Sequence, residues 1–149
     1  MFRKIGLFAA AFFFLASAPG GFAQDAIATA DGETTGTRIE ITELSRSSGD
    51  TVTLKFRLVN ESGDNASPYG LMEGADTSTV HLIDAAGKKK YLVITDSDGE
   101  CVCSGGLTTQ LDSGKSINLW AQFPAPPAEV KEVSVVFPHF IPTDAPIAD

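Results

Sequence analysis

The segment from Thr51 to Leu58 constrains the fold most strongly, because its side chains alternate strictly between polar and apolar. A period of two predicts a β-strand with one face buried and the other face in water. Burial of each large apolar side chain is worth about 1.5–3 kcal/mol, so a one-residue shift in register would expose the whole face. The predicted buried face consists of Val52, Leu54, Phe56 and Leu58.

Other segments with strand character are separated by turn-forming clusters, and no segment of the mature chain has helical periodicity over two turns. This pattern predicts an all-β fold, an antiparallel β-sandwich of about 6–8 strands. One of the segments is apolar on both faces, which indicates an interior or covered strand at residues 89–95. The remaining predicted strands are residues 38–44, 80–84, 117–123 and 130–137.

Residues 1–23 have the organisation of a secretory signal peptide. Arg3 and Lys4 precede an apolar run that is followed by small residues ending at Ala23. The run is about 14 residues long, whereas a membrane-spanning helix needs about 20; an uncleaved anchor or a buried helix is the alternative. We expect cleavage before Gln24 and no lipid anchor, since no cysteine lies near the junction. The mature protein is therefore predicted to be secreted or periplasmic, without membrane insertion.

The mature chain is predicted to consist of a flexible leader and one domain. Residues 24–36 are rich in Ala, Thr, Asp and Gly, which is typical of a flexible leader, and residues 37–149 form the domain. Loss of Arg3 and Lys4 leaves 9 basic and 19 acidic side chains, a net charge of −10. This charge opposes nucleic acid as a partner and is explained most simply by solubility outside the cell.

A long polar loop and one tryptophan are the candidate binding features. Residues 60–79 are rich in Gly, Ser, Asp and Asn, and a gap of that length in a compact domain is often functional. Its apolar members Tyr69 and Met72 are predicted to be exposed and to contribute to binding. Trp120 is predicted to lie opposite the buried face of residues 117–123, or alternatively in a second apolar layer.

Cys101 and Cys103 are the most unusual pair of residues. In an oxidising compartment two cysteines usually form a disulfide, and the flanking glycines indicate a bend that brings them together. Closure of so small a ring contributes about 1.6 kcal/mol, enough to pin a loop. The alternatives are paired thiols that bind a soft metal, a redox function, or a bond to another molecule. The two histidines, His81 and His139, have no metal-site spacing with the cysteines, so no metal ligands are assigned.

Other chemical signatures are weak. The acidic segment from Asp96 to Glu100 is similar to the start of a calcium loop, but Leu107 stands where the bidentate glutamate is required, so a plain acidic turn is favoured. There is no Gly-x-Ser-x-Gly elbow, phosphate loop or dinucleotide fingerprint. We therefore assign no catalytic residues and no cofactor, and predict that the protein is not an enzyme.

A series of short motifs runs through the second half of the sequence: Val80–Asp84, Lys90-Tyr91, Asp96–Ser104, Leu111–Gly114, Phe123–Pro127 and Val133–Pro138. Their order resembles that of small secreted immunoglobulin-like domains of bacteria, including modules found ahead of OmpA-like domains. The resemblance implies an immunoglobulin-like sandwich without catalytic function. No OmpA-like module follows in this sequence, so peptidoglycan binding is not carried over.

Three hypotheses about function follow. The first is an extracytoplasmic module that binds a protein or a cell-envelope component of unknown identity. The second is a redox or soft-metal-binding protein centred on the Cys-x-Cys loop. The third is a structural accessory domain without a ligand of its own.

Overall fold

The computed structural model describes residues 24–149, so the predicted signal peptide and its cleavage site lie outside the described residues. The described chain is all-β, as predicted, and contains two four-stranded antiparallel sheets. Its elements in chain order are β1 (Ala28–Asp31), β2 (Thr37–Ser47), β3 (Thr51–Asn60), α1 (Pro68–Leu71), β4 (His81–Asp84), β5 (Lys89–Leu92), β6 (Lys115–Pro124), β7 (Glu132–Val136) and β8 (Thr143–Pro146).

The first sheet, in the order β1-β2-β3-β6, carries the longest strands. The predicted alternation of β3 is confirmed, since the four apolar side chains of its buried face are at most 1% exposed. Leu119, Ala121 and Phe123 of β6 contribute to the same core. A register shift between Ile41 and Glu43 of β2 interrupts the pairing with β3. Alternating burial along these strands places one face of the sheet on the core and the other in solvent.

The second sheet, in the order β5-β4-β7-β8, has strands of four or five residues. Leu82 of β4 and Val135 of β7 are paired neighbours and are fully buried in the shared core. The predicted interior strand at residues 89–95 is wrong. Regular pairing ends at Leu92, β5 has a neighbour in the sheet on one side only, and Leu92 is 60% exposed.

The predicted flexible leader also differs from the structure. Ala28–Asp31 forms β1, which pairs antiparallel with β2, and Ala30 is buried opposite Ile39. The strand was difficult to recognise because its inward residues are alanines, whose small side chains give little contrast with their polar neighbours. Their small size also lets β1 lie close to the core without displacing larger side chains.

Two long connections cross between the sheets. The first crossover loop, residues 61–80, leads from β3 to β4 and contains the single-turn helix α1. The second crossover loop, residues 93–114, leads from β5 back to β6 and contains both cysteines. No helix among residues 24–149 is long and apolar enough to span a membrane.

Candidate functional site

Trp120 lies on the solvent face of the first sheet, opposite the core, as predicted. It is 39% exposed, which excludes the alternative of burial in a second apolar layer. The ring borders a shallow groove of about 470 Å³ that crosses β3 and β6, where Lys55 is the register partner of Trp120. The polar residues that line the groove are Gln24, Thr42, Lys55, Arg57 and Asn118.

Both cations that line this groove are paired with carboxylates. Lys55 Nζ lies 2.8 Å from Glu43 Oε2, and Arg57 donates to Glu40. The hydrogen bond from Arg57, followed by that from Arg38, holds the pKa of Glu40 below its ordinary value despite partial burial. The groove therefore combines an aromatic ring with neutralised charges, and these ion pairs hold the long side chains in place.

The amide side chains at the groove add hydrogen-bonding groups to this surface. Gln24 Nε2 donates to the Thr42 carbonyl oxygen at 3.2 Å, which ties the first described residue to β2. Asn118 is exposed on β6 opposite Arg57. An aromatic face flanked by amide donors and acceptors suits a partner with both apolar and polar groups.

The first crossover loop does not expose both of its predicted binding residues. Tyr69, in α1, is 48% exposed, whereas Met72 is fully buried and belongs to the hydrophobic core. The prediction of an exposed Met72 is therefore wrong. An unbranched thioether fills the irregular space under a loop well.

A second anchor, Asn60 at the end of β3, was missed by the sequence analysis. The side chain is fully buried, and its Nδ2 donates to the carbonyl oxygens of Asp64 and Leu111 at 2.7 and 2.8 Å. Its Oδ1 accepts hydrogen bonds from the amide and hydroxyl of Ser62. Asn60 thus joins the start of the first crossover loop to the second, and only the long-range contact with Leu111 distinguishes it from an ordinary turn asparagine.

Cys101 and Cys103 form a disulfide, in agreement with the prediction. Their Cα atoms are 5.3 Å apart, closer than the roughly 6.6–6.8 Å of an extended i, i+2 pair, so the backbone bends at this point. Both side chains are half-buried. The ring is therefore accessible from solvent rather than enclosed in the core.

The disulfide segment covers the open edge of β6. The amide of Gln122 donates to the carbonyl oxygen of Val102, and the amide of Ser104 donates to that of Trp120. Cys103 pairs with Ala121 in the same stretch. Unpaired strand edges invite aggregation, so this short pairing protects the first sheet and fixes the backbone of Trp120.

Asp76 of the first crossover loop lies beside the disulfide. A carboxylate oxygen of Asp76 and the two sulfur atoms all lie within 4.8 Å of one another, and all three residues are half-buried. Asp76 pairs through its backbone with Gly105, so the two crossover loops are joined at this point. Asp76 lies on a different loop from the cysteines, so no local sequence pattern links it to them.

The acidic segment that follows β5 is a turn held by its own side chain. Asp96 Oδ1 accepts hydrogen bonds from the amides of Asp98 and Glu100, at 2.9 and 3.0 Å. The Asp96 amide in turn donates to the Glu100 carbonyl oxygen. This use of the carboxylate explains the residue pattern without a bound ion.

The two histidines lie on different parts of the fold. His81 Nδ1 is 3.3 Å from the Thr79 carbonyl oxygen, and His139 contacts Glu33 at 3.1 Å and Glu73 at 3.5 Å. Among residues 24–149 neither histidine shares a hydrogen bond with a serine or a cysteine.

Comparisons of the sequence and structure with family models, curated proteins and solved structures give no match.

Proposed function

We propose that the mature domain is a non-enzymatic, extracytoplasmic binding module of the bacterial cell envelope. Its partner is a protein or an envelope component, and its binding surface is the groove beside Trp120. The first crossover loop contributes Tyr69 at most, because its other large apolar residue is part of the core.

The observation that carries this proposal is an exposed indole on a rigid sheet. Trp120 lies in the middle of a ten-residue strand whose backbone is paired on both sides, by β3 and by the disulfide segment. Tryptophan is among the residues that contribute most to binding energy when a partner covers them. Because the backbone that carries the ring is already ordered, binding has little backbone entropy to remove at this position.

The strand order supports an immunoglobulin-like fold for this module. If β2 to β8 are taken as strands A, B, C, C′, E, F and G, the sheets become A-B-E and C′-C-F-G, with β1 added beside A. The pairs A-B, B-E, C-F and F-G are those of the immunoglobulin sandwich. Antibody domains contain a disulfide between strands B and F. Here both cysteines lie in the second crossover loop and are bonded to each other.

The extracytoplasmic location rests on two independent features. Residues 1–23 have the pattern of a secretory signal, and the disulfide is of a kind that persists in oxidising compartments. The net negative charge of the mature chain disfavours nucleic acid as a partner. The location is tested by fractionating the source bacterium and sequencing the N-terminus of the recovered protein, which we expect to begin at Gln24.

The binding surface is tested by capture of partners from an envelope extract. Immobilised wild-type domain, Trp120→Ala and Leu92→Ala are compared by quantitative mass spectrometry. Leu92 is the matched control, since it is also a large exposed apolar residue but lies on the edge of the other sheet. We expect Trp120→Ala to lose the specific components and Leu92→Ala to retain them. Equal retention by both variants would contradict the proposed surface.

A further inference from the structure

We propose that reduction of the Cys101–Cys103 disulfide creates a binding site for one thiophilic divalent metal ion. The two thiolates and the carboxylate of Asp76 are the ligands. This site goes beyond the binding module described above and does not depend on it, because the groove beside Trp120 contains none of the three ligands.

The distances suit a small metal ion. The three ligand atoms lie within 4.8 Å of one another. Zinc binds sulfur at about 2.3 Å and carboxylate oxygen at about 2.0–2.2 Å in tetrahedral geometry, which places neighbouring ligand atoms roughly 3.3–3.8 Å apart. Breaking the disulfide lets the sulfur atoms separate toward that spacing.

The backbone around the site is held without the disulfide. On the side of the first crossover loop, the amide of Thr77 donates to the Ser104 carbonyl oxygen at 3.0 Å, and the amide of Leu107 donates to the Ala75 carbonyl oxygen at 2.9 Å. These bonds flank Asp76 and position it beside the cysteines.

On the side of the second crossover loop, Cys101 pairs with Thr95 and Cys103 with Ala121 of β6. Reduction breaks none of these hydrogen bonds, so the ligands remain near one another.

The donor set selects a soft metal. Two thiolates and one carboxylate give three protein ligands and leave one position of a tetrahedral ion for water. Thiolates favour Zn²⁺ or Cd²⁺ over Ca²⁺ and Mg²⁺. Asp76 Oδ1 accepts a hydrogen bond from the amide of Ser78 at 2.9 Å, which orients the carboxylate as outer contacts do at metal sites.

The chemical steps balance with one named co-reactant. A dithiol reductant supplies two electrons and two protons to the disulfide, which becomes two thiols while the reductant becomes a cyclic disulfide. The metal ion then displaces one proton from each thiol and forms two metal–sulfur bonds.

The experiment uses the whole mature chain in its oxidised form and after reduction with dithiothreitol, which is removed without air. Zn²⁺ binding is measured by equilibrium dialysis, and Cd²⁺ binding by the ultraviolet absorption of the cadmium–thiolate bond. We expect one ion per reduced chain and none per oxidised chain. Asp76→Asn should weaken Zn²⁺ binding to the reduced chain by about tenfold or more.

Asp98→Asn is the matched control, because it removes the same charge from the neighbouring acidic turn and leaves the three ligands intact. We expect Asp98→Asn to bind Zn²⁺ as the wild type does. Equal binding by oxidised and reduced protein, no binding by reduced protein, or equal effects of the two variants would each overturn the proposal. Circular dichroism accompanies every titration, and unfolding on reduction alone would overturn it as well.

Discussion

The two crossover loops are of similar length, both are polar, and both connect the two sheets, but they are anchored in different ways. The first is held from inside the domain by Met72 in the core and by Asn60 beneath its start. The second is held at the surface around its middle, by pairing with β6 and by the Cys101–Cys103 ring, and its end is anchored by the buried Leu111. Loop composition therefore says little about exposure, because one buried side chain is enough to tie a polar segment to a core.

The two kinds of anchor are expected to differ in how much they contribute to stability and how accessible they are for function. Interior anchors contribute through burial and buried hydrogen bonds, whose loss is expensive. Surface anchors contribute less to stability, and their groups stay accessible to solvent and ligands. We therefore expect changes at the interior anchors to affect folding, and changes at the Cys101–Cys103 ring to affect mainly the neighbouring groove and the sulfur chemistry.

The largest effect is expected from Met72→Ala. Removing a fully buried methionine side chain should lower the free energy of unfolding by about 2–5 kcal/mol, measured by urea denaturation. Tyr69→Ala, three residues away but exposed, should change it by no more than about 0.5 kcal/mol. Equal effects of the two variants would mean that the first loop is not anchored through the core.

Asn60→Ala should have the next largest effect. The substitution removes the hydrogen bonds to Asp64 and Leu111 and the acceptor of the Ser62 amide, at a cost of about 1–3 kcal/mol. The exposed Asn65 provides the control, and Asn65→Ala should be close to neutral in the same urea experiment. A neutral Asn60→Ala would indicate that the Asn60 side chain does not anchor the loops at this end.

Replacement of both Cys101 and Cys103 by serine should destabilise the domain less than Met72→Ala or Asn60→Ala does. The entropic contribution of the three-residue ring is at most about 1.6 kcal/mol. Thermal unfolding measures the loss, and fluorescence of Trp120, the single tryptophan of the chain, reports whether the edge of β6 rearranges. A loss as large as that of Met72→Ala would refute the distinction between interior and surface anchors.

The smallest effect is expected for Glu40→Gln on the ion-paired face of the first sheet. The pKa of Glu40 is lowered in the folded protein, mainly by Arg57, so its stabilisation is complete above the unfolded-state pKa and is lost as the pH falls through the folded value. At neutral pH the substitution should cost no more than about 1 kcal/mol. In acid the wild type and the variant should converge.

Met72→Ala is the reference for this pH dependence. It removes no charge, so its effect on the free energy of unfolding should stay nearly constant between neutral and acidic pH. Glu132→Gln, at an exposed carboxylate of β7, is the matched control for the loss of charge. If Glu40→Gln destabilised the protein equally at neutral and acidic pH, the ion pair with Arg57 would not be its cause.

Strong side-chain alternation made most of the first sheet predictable. Residues such as Leu54 and Phe56 have to face the core whatever their partner strands are, because a strand places successive side chains on opposite faces. The same rule placed Trp120 on the solvent side of β6. The short strand β1 escaped, because Ala28 and Ala30 give little apolar contrast along the sequence.

The sequence by itself determined the all-β class, the main buried faces and the proximity of the two cysteines, since each depends on residues that are neighbours along the chain. Only the tertiary structure decided that Met72 is buried, that Asn60 reaches Leu111 and that Asp76 lies beside the disulfide. These contacts join segments that are far apart in sequence, and their position depends on how the two sheets pack. The metal site proposed at the Cys-x-Cys loop therefore depends on Asp76, a residue that the local sequence pattern could not link to the cysteines.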